Sequence, residues 1–419
     1  MNTFTYVFLT ALAITFTLKA WLQYRQINHI LKHRDRVPDQ FQDKLTLEEH
    51  QVAADYSVSH AKLGLFSLCF YTLILLGLTL GGLLNWFDLK VMSLQYNPLW
   101  TGIWFVGVLG FFYFLLGLPL DYYETFRIEK RFGFNRQSGQ LFALDQIKGL
   151  AVSVALGIPF IWLALWLMQE SGRLWWLYLW VAFVAFSVLL LWIYPTLIAP
   201  FFNKFEPLKD SNLQHRIETL LEQCGFRSNG IFVMDGSTRS THSNAYFTGL
   251  GNSKRIVFYD TLVKNLKPAQ IEAVLAHELG HFRLNHIKKL FSLQIVYFLL
   301  LFALLGWLYQ KPWFFTGLGI RPDTQSTHLA LALFYLAIPV FTFIVQPLFS
   351  YISRKHEFEA DEYASSKRDA KDLIDALLVL YRKDARTVTP DPLHSMIFDS
   401  HPPAPIRITQ LSQKPAPST

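Results

Sequence analysis

Two histidines four residues apart, with a glutamate beside the first, are where this chain states a chemistry: His277-Glu278-Leu279-Gly280-His281. Ile271, Val274, Leu275 and Leu279 recur at helical spacing around them, which predicts a helix. Residues four apart on a helix lie about 40° from one another around the axis, so both imidazoles can reach one ion. Imidazole nitrogens suit a tetrahedral Zn²⁺, which in a catalytic site takes three protein ligands and keeps one position open. Glu278 sits beside such an ion without binding it. From there its carboxylate can take a proton from an attacking water, the general-base role in the HExxH signature. The alternative is a chance match on an ordinary amphipathic helix.

A third ligand is needed. His286 lies five residues after His281 and, read as part of the same helix, falls off the ligand face. The extended three-histidine signature is also missing, because Leu284 and Ile287 stand where it needs Gly and His. His286 is therefore expected to be a polar helix residue near the membrane interface. Glu357 is the better candidate, in Arg354-Lys355-His356-Glu357-Phe358-Glu359-Ala360-Asp361 just after the last apolar run. The HExxH helix precedes the sixth apolar run, and the seventh returns the chain to the same side. That hairpin through the membrane brings residues 277–281 and 357 together. Asp361, four beyond Glu357, shares its helical face and can orient a ligating histidine or handle a proton. One Zn²⁺ per chain is expected, on His277, His281 and Glu357.

The elements that carry these residues follow from composition. Of 419 residues, 52% are hydrophobic and only 16% charged. Soluble domains average about 25% charged residues, so a membrane protein is expected. The net charge of +7 does not call for nucleic acid, since Lys and Arg gather in cytoplasmic loops of membrane proteins. Cys69 and Cys224 form no disulfide framework. Apolar runs at 3–18, 63–86, 99–120, 150–168, 174–198, 290–308 and 329–349 are each close to the ~20 residues that cross a bilayer. The first reads as an uncleaved span, and Pro159 is expected to kink the fourth.

Basic residues dominate 19–62, 121–148 and 201–289 and follow the seventh run at Arg354 and Lys355. With seven spans these segments fall on one side, so the N-terminus is expected outside and the chemistry in the cytoplasm. The expected parts are spans one to five (1–200), a cytoplasmic segment with the HExxH helix (201–289), spans six and seven (290–352) and a cytoplasmic helical tail (353–419). Within the cytoplasmic segment, 213–224 reads as an amphipathic helix ended by Gly225 and 231–234 as a short β-rich run. Residues 244–248 and 255–259 read as a β-hairpin around the Gly-rich loop Gly249–Ser253. The fold class is thus an all-α multi-pass membrane protein with a small β-hairpin.

The chain resembles the type I CAAX prenyl endopeptidases, integral-membrane zinc metalloproteases of the gluzincin type. The resemblance runs from about Tyr122 to Arg407. It rests on Glu129-Lys130-Arg131-Phe132-Gly133-Phe134-Asn135, Tyr194-Pro195-Thr196-Leu197-Ile198-Ala199-Pro200, Ser243-Asn244-Ala245-Tyr246-Phe247, the HExxH core, Glu357-Phe358-Glu359-Ala360-Asp361, and Ser400-His401-Pro402-Pro403 with Arg407. It implies zinc on His277, His281 and Glu357, Glu278 as base and Asp361 as a proton donor. It puts His401 and Arg407 near the scissile carbonyl and Asn244 on a substrate-facing strand. Tyr246 and Phe247, beside it, are either substrate contacts or packing. The implied fold is seven helices around an internal chamber with the zinc at its cytoplasmic end.

The function expected is hydrolysis of peptide bonds in prenylated or other membrane-associated substrates, with the bilayer and a peptide as partners. A bacterial source would place the protein in the inner membrane with a quality-control role; a eukaryotic one would place it in an endoplasmic-reticulum-type membrane. Two rivals stand further off. An intramembrane-cleaving protease would have to bury Glu272, Arg283, Lys288 and Lys289 around the motif. A scaffold or transporter with a structural metal would have no use for Glu278.

Overall fold

In the computed structural model, which describes residues 1–226, 228–248, 255–322 and 324–414, seven helices are long and apolar enough to cross a membrane. They are Thr3–Lys32, Leu47–Leu78, Pro98–Glu129, Gly139–Glu170, Gly172–Phe202, His286–Leu308 and Thr327–Lys367. Asn2, Thr46, Asn97, Ser138 and Ser326 each accept a backbone N–H in the first turn of their helix. Those caps satisfy donors that a helix start leaves orphaned. Helices of this length outrun the hydrocarbon core and carry the chain on into water.

The second span ends earlier than its apolar composition suggests. It stops at Leu78, Gly82 takes a left-handed turn (φ 78°), and Leu83–Met92 forms a separate helix that carries Trp86. The fourth helix runs without interruption through Pro159. The seventh runs over Thr327–Thr342, passes one tight turn at Phe343–Val345 and continues as Gln346–Lys367. Glu357 therefore rides on the span itself rather than on a separate tail helix.

The hairpin is half of a four-stranded sheet. Strands β1 (Phe205–Pro207), β2 (Ile231–Met234), β3 (Ala245–Thr248) and β4 (Arg255–Tyr259) lie in the order β1-β2-β4-β3. β3 and β4 are antiparallel, β2 is parallel to β4, and β1 is antiparallel to β2. The Gly249–Ser253 loop lies outside the described residues. The helix Ser211–Gln223, ended by left-handed Gly225, covers the sheet as its apolar stripe requires.

Two large apolar cores, with two small clusters beside them among the described residues, hold the molecule. One large core joins the sheet, the HExxH helix (Pro268–Arg283) and the helices Ala370–Lys383 and Ala404–Leu411, through Phe258, Leu275, Leu279 and Leu373. The other large core gathers the opposite ends of the spans, with Phe8, Phe105, Phe314 and Phe315 fully buried. Between these two lie cavities of about 220, 590 and 410 Å³ that follow one another. The first two share Tyr381, Arg386 and His401, and the last two share Gln23 and Phe398. The cavity of about 410 Å³ lies mainly among the first, second and seventh spans, and the other two continue this chamber toward the HExxH helix.

Candidate active site

The HExxH helix is opened by Pro268 and packed on the Glu357 helix through Gly280, where a Cβ would meet the Ala360 Cα at 3.0 Å. That close approach sets the distance between the two elements. Glu272, buried on the same helix, is held by Arg216 and by Arg368 Nε at 2.7 Å, so the helix sits in a water-facing ion-pair network. The intramembrane reading loses its ground there.

His277, His281 and Glu357 come together with one donor atom of each within 4.8 Å of the others. His277 Nε2 lies 3.2 Å from His281 Nε2 and 3.4 Å from Glu357 Oε2, and His281 Nε2 lies 3.3 Å from Glu357 Oε1. Glu357 Oε2 is also 2.9 Å from His401 Nδ1, yet it is buried with no hydrogen bond of good geometry. Two imidazole nitrogens and an orphaned carboxylate oxygen converging this way fit a small divalent cation better than they fit one another. Charge agrees. Burial opposes a charged His277 ring, but Asp361 and Glu357 outweigh it and push its pKa up to about 9, so the pocket favours a positive charge.

Each ligand has its own support. Asp361 Oδ1 lies 2.8 Å from His277 Nδ1, fixing that ring with Nε2 toward the other donors. Arg407 clamps Asp361 bidentately, Nε to Oδ2 at 2.8 Å and Nη2 to Oδ1 at 2.6 Å. Its Nη1 stands 3.6 Å from Glu357 Oε2. Both oxygens of Asp361 are thus engaged, and it does not line the cavity.

His286 departs from its expected place at the interface. The HExxH helix ends at Arg283, Asn285 turns left-handed (φ 57°), and a new helix starts at His286. The turn folds His286 back, fully buried, with its Nδ1 3.0 Å from His281 Nδ1 and its Nε2 2.9 Å from Glu359 Oε2. Glu359 thus accepts from His286, and His286 from His281, leaving the His281 Nε2 lone pair free for a metal. His356 stacks on His286 at 4.0 Å with planes 5° apart. Imidazole lone pairs lie in the ring plane, so two parallel rings cannot aim at one ion; this trio supports His281 and is no second metal site.

The cavity of about 220 Å³ is lined by His277, Glu278, Glu357, Asn244, His401 and Arg407. Leu262, Val274, Leu373, Leu377 and Leu380 form an apolar wall. Glu278 is half-buried and His401 is 60% exposed. Tyr246 is not brought here. Strand side chains alternate faces, so Ala245 and Phe247 pack toward the core while Tyr246 lines a separate cavity with Pro195 and Phe232 on the other side of the sheet. Its expected substrate contact is corrected accordingly.

One supporting cluster escaped the sequence. His242 Nε2 lies 3.2 Å from Glu129 Oε2 and its Nδ1 3.3 Å from Asp384 Oδ1, while Tyr56 donates to Glu129 at 2.6 Å. Asp384 also accepts the Ser243 N–H, anchoring the segment before Asn244. Glu129 closes a π-helical turn, Glu124–Glu129, of the kind that marks functional sites.

Comparison with known proteins places this geometry. Residues 26–204 match the family described as CAAX prenyl protease N-terminal, five membrane helices, and residues 207–414 match peptidase family M48. CAAX prenyl protease 1 of Saccharomyces cerevisiae is 33% identical over 94% of this chain and 92% of its own. A CAAX prenyl protease 1 homolog of Arabidopsis thaliana is 41% identical over 68% and 67%. The crystal structure of S. mikatae Ste24p superposes with a TM-score of 0.91 at 31% identity, covering 98% of this chain and 99% of that one. Seven spans, the HExxH helix and these matches lead to one statement: the chain belongs to the CAAX prenyl protease 1 family, multi-pass membrane metallopeptidases of peptidase family M48.

Proposed function

We propose that this chain is a zinc endopeptidase, one Zn²⁺ per molecule, that cuts prenylated CAAX-type peptides at the cytoplasmic face of its membrane. The observation that carries the reading is the convergence of His277, His281 and Glu357 at a cavity that Glu278 also lines. When bound there, zinc supplies Lewis acidity that polarises a carbonyl and acidifies water. Glu278 takes the proton from the attacking water and passes it to the leaving amine. His401, exposed beside Glu357, donates a hydrogen bond to the developing oxyanion. Asp361 and Arg407 serve as positioning residues: Asp361 spends both oxygens on Arg407 and one also on His277, while Arg407 spends Nε and Nη2 on Asp361 and keeps Nη1 near Glu357.

Substrate binding follows from the sheet and the chamber. Among the described residues β3 ends the sheet, so a further strand can be laid along it beside Asn244. The cavity of about 410 Å³, lined by Leu12, Phe16, Leu68, Leu75, Leu336 and Val340, suits a hydrocarbon chain. The orientation rests on the basic residues that gather at the site's end of the spans.

Glu278→Gln separates binding from chemistry. The variant should keep its zinc and lose turnover of a farnesylated peptide by a factor on the order of 10² to 10⁴. Zinc-loaded Glu278→Gln protein that cuts at the wild-type rate would sink the mechanism.

A further inference from the structure

Arg386 stands where two cavities join. It lines the catalytic cavity with Glu278 and Glu357, and the neighbouring cavity of about 590 Å³ with His60 and Asp399. Its backbone is fixed: it follows left-handed Ala385 (φ 46°) and donates its N–H to the Tyr381 carbonyl at 2.9 Å. Its side chain is accessible, and among the described residues its guanidinium has no hydrogen bond or ion pair. The anions nearby do not supply one. Asp384 is held by His242 and the Ser243 N–H, Glu357 faces the histidines, and Asp399 across the larger cavity forms no ion pair with it among the described residues. Arg407, the other arginine of the catalytic cavity, is already clamped on Asp361.

A lone cation facing an apolar wall of Val274, Leu373, Leu377 and Leu380 is a site for an anion attached to aliphatic groups. A planar guanidinium takes a carboxylate bidentately. We propose that Arg386 binds the free C-terminal carboxylate of the peptide, so that the enzyme measures its cut from the chain end. The inference rests on the proposed protease reading and adds what that reading lacks, a means of recognising a terminus. A CAAX box places three residues after its cysteine. Three residues span at most ~11 Å, short enough for the scissile carbonyl and the carboxylate to occupy one cavity. The chamber side of Arg386 remains for the part of the substrate that precedes the cut.

The test compares two farnesylated peptides, identical except that one ends in a free carboxylate and the other in a carboxamide. Wild type should prefer the acid by about 10- to 100-fold in kcat/KM, the usual worth of a hydrogen-bonded charge. Arg386→Gln should bring that ratio close to one, and Arg386→Lys should restore part of it. A second arm measures binding of the same two peptides to Glu278→Gln protein, where the acid should again bind more tightly and Arg386→Gln should erase the difference. An acid-to-amide ratio near one in wild type, or one unchanged in Arg386→Gln, would overturn the proposal. If wild type cuts neither peptide, the protease reading falls, and the binding arm still decides the carboxylate site.

Discussion

Both histidines of the candidate centre are held from behind. Asp361 orients His277 and is itself fixed by Arg407, while His286 orients His281 and is fixed by Glu359. Outer partners of this kind commonly carry 10- to 100-fold in metal affinity. His286→Phe tests the second chain, because phenylalanine keeps a ring to stack on His356 and removes both nitrogens. Zinc affinity, read by competition with a chromophoric chelator, should fall by about that factor while the protein stays folded. Ala variants of His277, His281 and Glu357 should lose most of their zinc by elemental analysis; full retention in Glu357→Ala would move the third ligand elsewhere. That His277, His281 and Glu357 come together was legible from spacing and topology. His286 was not, because a reading that carries one helix through Asn285 turns it away, and a single left-handed residue reverses that. Arg407 was legible only through resemblance, since its role depends on a carboxylate 46 positions earlier in the chain.

At the scale of elements, the site is a contact between two helices. Gly280 lets them meet: an added Cβ would stand 3.0 Å from Ala360 Cα, 3.1 Å from Tyr363 Cβ and 3.2 Å from the Ala360 carbonyl oxygen. Backbone cannot yield as a flexible side chain can. Gly280→Ala should therefore cost about 1–3 kcal/mol of stability and loosen metal binding, read by thermal unfolding and by zinc content. The loop that leads into β3 is tied differently, through His242. Burial opposes charge on that ring, but Asp384 and Glu129 outweigh it and raise its pKa to about 9. A raised pKa means the stabilisation is complete below the ordinary value of about 6.5 and fades as pH climbs through 9. The unfolding temperature of wild type should drop more between pH 6.5 and 9 than that of His242→Asn; parallel curves would remove His242 from the account. The strands β3 and β4 were readable from their alternation, but β1 was not. Three residues ending in Pro207 carry no periodicity, and only pairing with β2 makes them a strand.

For the whole molecule, we expect the alternation of seven spans to put residues 310–328 on the side opposite the site. In a background without Cys69 and Cys224, Gln325→Cys and Lys371→Cys, both at exposed positions, should react with a membrane-impermeant thiol reagent from opposite faces of intact cells. Labelling from the same face would break the seven-span arrangement. The apolar core at that far end has a consequence for the membrane itself. A hollow protein threatens the ion gradients of the bilayer it sits in. Here the buried rings of Phe8, Phe105, Phe314 and Phe315 stopper one end of the hollow, with the Asp88–His328 pair at 2.7 Å sealed among them. We expect the chamber to be a well and not a conduit. Water and peptide can fill it from the catalytic end, product has to leave without crossing to the far face, and vesicles carrying the protein should hold a potassium gradient as tightly as empty ones.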